Sequence, residues 1–465
     1  MANQQTFIHP YMPSSDPRQE ALLLQELGIK EAKELYAPIP DNLLFKRRLN
    51  LPEPLTSEYE LKKHLQGILA KNKDCDTNLS FLGGGCWQHY VPAVCDDIIA
   101  RPEFLTAYWG DTYSDKGKYQ ALFEYTSMMG ELLGFEAVTH PTYDWSSAAS
   151  SALLMAQRIT NRKKILIPAT ISYQRKQHMK NFCSHAVELV CVDYDKTTGL
   201  LDMNDLRSKL DDSVAGVYFE NPNYLGVVEV NAEQICAMAH EVGAVCIAGV
   251  DPISLGILEA PANYGADIAV GDNQPLGNHM NCGGGASGFM ASRDEDKYCD
   301  QFPTIIFSLV AGKEKGDFGF VQTTHSRTSY VQREAATDYI GTSTCLAAIA
   351  SAVYMSLMGP EGMREIGETI LQRREYAQQM LSTIDNVNAR LFTAPSFKEF
   401  VVDFNKTGKT VEEINKALLA KGIYGGKDLS KEFPELGQCA LYCVTEVHSA
   451  DDIQRLADAV KEVTK

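Results

Sequence analysis

The sequence predicts an α/β fold: a mostly parallel sheet covered by helices, followed by a smaller C-terminal α+β domain. Three observations predict it. Between about residues 120 and 290, short and nearly continuous apolar runs alternate with helical patterns, as in a parallel sheet buried on both faces. Beyond the helix-breaking pair Gly359-Pro360, isolated strands stand between capped helices. The chain has 465 residues, more than one hydrophobic core usually organises, so a large domain and at least one smaller one are expected.

The elements follow in order. Residues 1–75 are rich in proline and charge with short amphipathic stretches such as 58–70, and read as an N-terminal arm. A large domain is expected over 76–355 and the small one over 356–465. In the large domain, 146–159 carries small and apolar residues at helical spacing. Residues 165–167, 187–192, 216–219, 245–250 and 267–270 are strand candidates, and 231–242 is a helix between two of them. Right-handed crossovers then bring the carboxyl ends of the parallel strands to one edge, where ligands bind in such sheets. Residues 331–358 are helical in composition, and a second helix runs over 361–384. In the small domain 400–404 and 441–444 are strands. Thr410-Val411-Glu412-Glu413 has the capping-box pattern, and Ser449 caps a final helix.

Composition narrows the function classes. Hydrophobic residues make up 45% and charged residues 22%, ordinary for a globular protein. The formal charge of −17 disfavours nucleic acid and anionic lipid as partners. No apolar run approaches the ~18 residues of a membrane span, and the N-terminus has neither the basic nor the apolar region of a signal peptide. The twelve cysteines form no CxxC pair, and Cys191, Cys236 and Cys246 sit in apolar runs, which suits reduced thiols in a cytoplasmic protein. The ten histidines show no HxxxH or HxH spacing, so no metal site is expected.

Chemistry concentrates in 244–290. The run AVCIAGVDP is a buried strand whose last residue, Asp251, emerges at the ligand edge. That carboxylate has two readings: it caps the turn through Pro252 and Ser254, or it holds a protonated ring nitrogen, as pyridoxal phosphate (PLP) chemistry requires. The next strand, in ADIAVGDNQPLGNHMNCGGGASGFMAS, ends at the same edge. Gln274 stands where a cofactor lysine is expected, and a neutral amide cannot make the covalent bond that needs a nucleophilic amine.

Here the sequence resembles the P-protein of the glycine cleavage system, in particular the first (α) subunit of its two-chain form. The likeness rests on FLGGGCWQHYVPAV (81–94), FLTAY (104–108), QALFEYTSMMGELLGFE (120–136), ENPNYLGVVE (220–229), VDPISLGIL (250–258), GADIAVGDNQPLG (265–277), REAATDYIGTSTCLAAIASAVYMSLMGPEGMREI (333–366) and FPELGQCALYCVTE (433–446). The resemblance implies the PLP-dependent transferase-like fold (fold type I) and a PLP-dependent glycine decarboxylase. It implies a lysine-bearing second subunit that holds the cofactor in an α2β2 assembly, glycine as substrate, and a lipoylated H-protein that accepts the aminomethyl group. This chain would then be inactive alone and complete its partner's site. The resemblance assigns Thr342, Asp251 and Arg333 to cofactor binding, and His89, Tyr90, Tyr108 and Arg327 to the substrate entry. Each also has a plain structural reading: a helix-start hydroxyl for Thr342, ion pairs for the arginines, packed aromatics for the tyrosines.

The chain departs from the family's pattern in several places. Tyr108 is followed by WGDTYSDKGKYQ. Trp145 replaces a glycine and fills space or removes a positive-φ conformation. Ser172-Tyr173 replaces a His-Pro turn, the segment 333–339 loses a lysine, and Ala286-Ser287 replaces a Pro-led pair. These positions leave open a paralogue acting on another amine, or a non-catalytic assembly or regulatory subunit. An independent PLP enzyme would need another lysine. Lys163, Lys164, Lys176 and Lys180 are present, but none lies at the strand end bearing Gln274.

Overall fold

In the computed structural model, the described residues are 8–9, 11–12, 15–47, 49–85, 87–105, 118–281, 287–322, 340–341 and 343–465. The chain forms two compact units, Met1–Asn72 and Lys73–Lys465.

The first unit holds two helices, α1 (Pro17–Leu27) and α2 (Glu58–Leu69). Asp16 and Ser57 cap them by accepting backbone N–H bonds. Neither helix has a buried residue. Leu22, Leu23, Leu27, Leu61, Leu65, Ile68 and Leu69 are all exposed, so both helices present apolar side chains at their surface.

The second unit begins with β1 (Leu79–Ser80), α3 (Ala93–Ile99), α4 (Lys118–Leu133) and β2 (Ala137–Val138). Next come α5 (Trp145–Thr160), β3 (Lys164–Pro168), α6 (Tyr173–Cys183), β4 (Glu188–Val192), α7 (Met203–Lys209), β5 (Val214–Asn221), α8 (Ala232–Glu241), β6 (Val245–Val250), β7 (Ile268–Asp272) and β8 (Gly288–Ser292). These give a seven-stranded sheet in the order β2-β8-β7-β6-β5-β3-β4. The strands β4, β3, β5, β6 and β7 are parallel, and β8 and β2 close the other edge antiparallel. The two-residue period divides the core. Val217, Phe219, Ala248 and Val250 face α4, α8 and the long helix described below. Tyr218, Ile247, Ile268 and Val270 face the alanine-rich α5 and α6.

After α9 (Asp296–Cys299) a hairpin of β9 (Phe307–Ala311) and β10 (Phe318–Gln322) extends the chain. The helix α10 (Cys345–Ser382) is interrupted at Gly359, whose φ of 58° and ψ of −178° are non-helical, immediately before Pro360. The expected break lies there. Residues 340–341 and 343–344, expected within the helix, are not helical. Residues 331–339 of that expected helix lie outside the described residues.

The C-terminal layer contains β11 (Glu399–Asp403), α11 (Val411–Ala420), β12 (Ile423–Tyr424), β13 (Lys427–Asp428), β14 (Cys439–Cys443) and α12 (Ala450–Val463). Its sheet runs β11-β14-β13, antiparallel, while β12 pairs with β1. Phe400, Val402, Ile414, Leu418, Tyr442, Leu456 and Val460 form its core. The capping boxes at Thr410–Glu413 and Ser449–Asp452 are both formed. Among the described residues, no helix is long and apolar enough to cross a membrane.

Candidate functional site

The strand register brings Asn221, Val250 and Gly271 into line across β5, β6 and β7, so Asp251 and Asp272 emerge side by side at the carboxyl edge. Backbone bonds fix the turn after β6. The Asp251 Oδ1 accepts from Ile253 N at 3.1 Å, and its carbonyl accepts from the Ser254 hydroxyl at 2.7 Å. This is the turn reading of the sequence. The other oxygen, Oδ2, lies 2.7 Å from the Nζ of Lys398, the residue before β11.

Lys398 anchors a chain of polar contacts. Its ammonium lies 3.1 Å from His89 Nε2 and 3.5 Å from the centre of the Trp87 ring. The His89 Nδ1 contacts Glu446 Oε2 at 2.8 Å. Since Nε2 must accept from the ammonium, Nδ1 carries the hydrogen and donates to Glu446. Burial would raise the Glu446 carboxyl, but the hydrogen bonds from His89 and the Tyr90 backbone N–H hold it below the usual carboxylate range. His89 is thus buried within this network, while the Tyr90 side chain is exposed.

A second network lies opposite. Arg175 on α6 pairs with Glu220 on β5 and lies 3.9 Å over the Trp145 ring. Tyr218 donates to Glu220 at 2.7 Å, and Trp145 Nε1 donates to the Tyr218 hydroxyl at 3.1 Å. Trp145 opens α5 under the Asp144 cap, whose Oδ1 accepts from Ser147 N. Gly249 is required beneath it: a Cβ there would fall 2.6 Å from the Tyr218 hydroxyl. Gly226, at φ 85°, likewise lets the backbone before the C-terminal layer approach, since a Cβ would fall 2.0 Å from the Glu399 carbonyl oxygen. The two networks line a cavity of about 30 Å³ with Asp251, Glu399, Asn223 and Tyr224 on its wall.

At the end of β7, Asp272 accepts from Gln274 N at 2.8 Å. Burial pushes the Asp272 carboxyl up to about 7, against the pull of that N–H. The Gln274 side chain is buried, and its Nε2 donates to the Asn278 carbonyl at 3.0 Å. Gln274 does not line the cavity beside Asp251. No lysine occurs from Asp272 to Leu276.

Thr342, Arg333, Arg327 and Tyr108 lie outside the described residues. Of the residues following Thr342, Ser343 and Cys345 both contact His140 Nε2, at 3.1 and 3.0 Å. Burial pushes that imidazole down to about 3. Thr344 donates to the Thr142 carbonyl at 2.9 Å. Sequence reasoning missed Lys398, Arg175, Glu220, Trp87 and Glu446. Trp87, Glu220 and Glu446 lie in segments that carry the family likeness, and the FKEF run (397–400) places a charged pair before a strand.

The sheet order and the aspartate closing β6 define a chain of the PLP-dependent fold type I class, one with no lysine at the end of β7. The structure is similar to a sphingosine-1-phosphate lyase of Burkholderia pseudomallei, with a TM-score of 0.65 at 13% identity, covering 90% of this chain and 93% of that one, a likeness of fold alone. It is much more similar to the crystal structure of an inhibitor-bound glycine decarboxylase (P-protein) of the glycine cleavage system. That match has a TM-score of 0.84 at 30% identity, covering 98% of this chain and 100% of that one. The family model for the glycine cleavage system P-protein matches residues 9–460. Proteins named probable glycine dehydrogenase (decarboxylating) subunit 1 are 38% identical, from Staphylothermus marinus over 98% of this chain and 99% of theirs, and from Pyrococcus furiosus over 97% and 99%. The chain belongs to the glycine cleavage system P-protein family.

Proposed function

We propose that this chain is the non-lysine (α) subunit of a PLP-dependent glycine decarboxylase, working in the cytoplasm in an α2β2 assembly with a lysine-bearing homologous subunit. One observation carries the reading. The full length of the P-protein fold is kept, while the end of β7 offers Gln274 and no amine. The exposed apolar side chains of α1 and α2 support a large partner interface, for which burial of more than ~2,000 Å² is expected.

Bound on the partner, PLP supplies the electron sink that lets carbon dioxide leave glycine. The aminomethyl carbon then bonds to one sulfur of the H-protein's lipoyl disulfide. The S–S bond breaks, and the second sulfur takes a proton as a thiol. This chain's part is to complete the partner's site. By the family resemblance, Thr342 would meet the cofactor phosphate with its hydroxyl, and Arg333 would meet the same phosphate or a carboxylate. Tyr90, exposed and held at its backbone by Glu446, would serve the substrate entry, the role the family resemblance also gives Tyr108 and Arg327. His89, buried between Glu446 and Lys398, positions that segment.

The test is exchange of the glycine carboxyl with bicarbonate by the two subunits and a lipoylated carrier. Exchange that needs both subunits is expected. Assembly with bound PLP but no exchange would refute glycine as the substrate, and exchange by the partner alone would refute the completing role.

A further inference from the structure

The carboxyl end of β6 is where this fold class would place a cofactor ring, with its nitrogen on Asp251, and this chain's own edge does not fit one. The cavity there is about 30 Å³, enough for a water or two, whereas small-molecule sites run to about 300–1,000 Å³. Trp87 and Trp145 fill its walls and Arg175 is tied down by Glu220. Asp251 and Lys398 are 5% and 3% exposed and 2.7 Å apart. The ammonium stands against Asp251 Oδ2, as an ion pair, against His89 Nε2 and against the face of Trp87. A lysine has three hydrogens to give, and a cation over an indole face is attracted to it.

We infer that Lys398 is a built-in substitute for a cofactor's ring cation: its ammonium holds the cation position on Asp251, and the pocket is a closed joint between β6 and the C-terminal layer. The reason is electrostatic. A carboxylate buried at Asp251 needs a cation, since an unpaired buried charge is strongly destabilising. In this chain the cation comes from the residue that leads into β11, so the same contact that neutralises Asp251 also fixes where β11 packs. Asp251 is thereby explained without any cofactor of its own. The inference rests on this chain's geometry alone and stands whatever substrate or partner the chain serves.

The test uses the full-length chain and reads no activity. Two of its three tryptophans, Trp87 and Trp145, line the pocket, so their fluorescence reports entry of PLP. No saturable quenching by PLP, and no borohydride-fixed adduct on Lys398, is expected. Lys398→Met and Asp251→Asn should each lower the melting temperature by about 3–5 °C. The Lys398→Met/Asp251→Asn double variant should lose clearly less than the two single losses combined, because it removes both charges together. If a single variant does not fold, a double variant that does fold demonstrates the same coupling. Saturable quenching of the unmodified chain, a reduced adduct at Lys398, or strictly additive losses would overturn the inference.

Discussion

Asp272 gives the sharpest quantitative test of the site's electrostatics. Its carboxyl stands at about 7 in the folded chain, raised first by burial and further by Asp144, against 3.8 in the unfolded one. Between those values the folded state holds close to one more proton than the unfolded state. Stability therefore falls as pH rises through this window, and it levels off above about 7. At ~1.4 kcal/mol per unit, the whole window is worth ~4 kcal/mol, and the part from pH 5.5 upward ~2 kcal/mol. Asp272→Asn keeps an oxygen to accept the Gln274 N–H and removes the titration. The variant should consequently gain stability relative to the native chain as pH rises from 5.5 to 8. That gain is ~2 kcal/mol, or about 2 °C in melting temperature for a chain of this length. Thermal scans of both proteins at several pH values in one buffer series measure the difference. A gap that stays constant across that range, or that widens toward acid, would refute the burial argument.

Three further outcomes are expected. Thr342→Ala should weaken PLP retention on the partner by roughly 1–3 kcal/mol if its hydroxyl meets the phosphate, read by cofactor titration of the assembled subunits. Unchanged retention with active exchange would remove Thr342 from the site and leave the family assignment standing. Removing residues 1–72 should abolish stable association with the lysine-bearing homologue in sedimentation, because α1 and α2 carry exposed apolar side chains and have no buried residue of their own. Trp145→Ala should cost about 3–5 kcal/mol, since the indole is buried and bonded to Tyr218. A melt within 1 kcal/mol of native (roughly 1 °C) would show that the pocket collapses without cost.

The family was legible in the sequence because its signal is spread over many local segments, and the core elements were legible because their causes are local. The strand ending before Asp251 is a continuous apolar run, observed as Val245–Val250. The helices opened by Thr410 and Ser449 carry their caps within four residues. Gly359-Pro360 interrupts a helix by its own backbone limits. Residues 340–341 and 343–344, expected within a helix, are not helical; composition cannot register distant partners. The hydroxyls of Ser343 and Thr344 are instead bonded to His140, Thr142 and Ser287 on other elements, and the helix begins at Cys345.

The sequence by itself determined the fold class, the aspartate at the end of β6 and the missing amine at the end of β7, each carried by residues adjacent along the chain. Only the tertiary structure decided what Asp251 faces. Lys398 does not stand out in the sequence, and His89 reads there as a polar aromatic at an entry. They become a buried chain of contacts because β11 and the segment from 81 to 90 are brought over the carboxyl edge of β6. In that small buried cavity a carboxylate must have a cation, and the fold supplies it from a residue far along the chain.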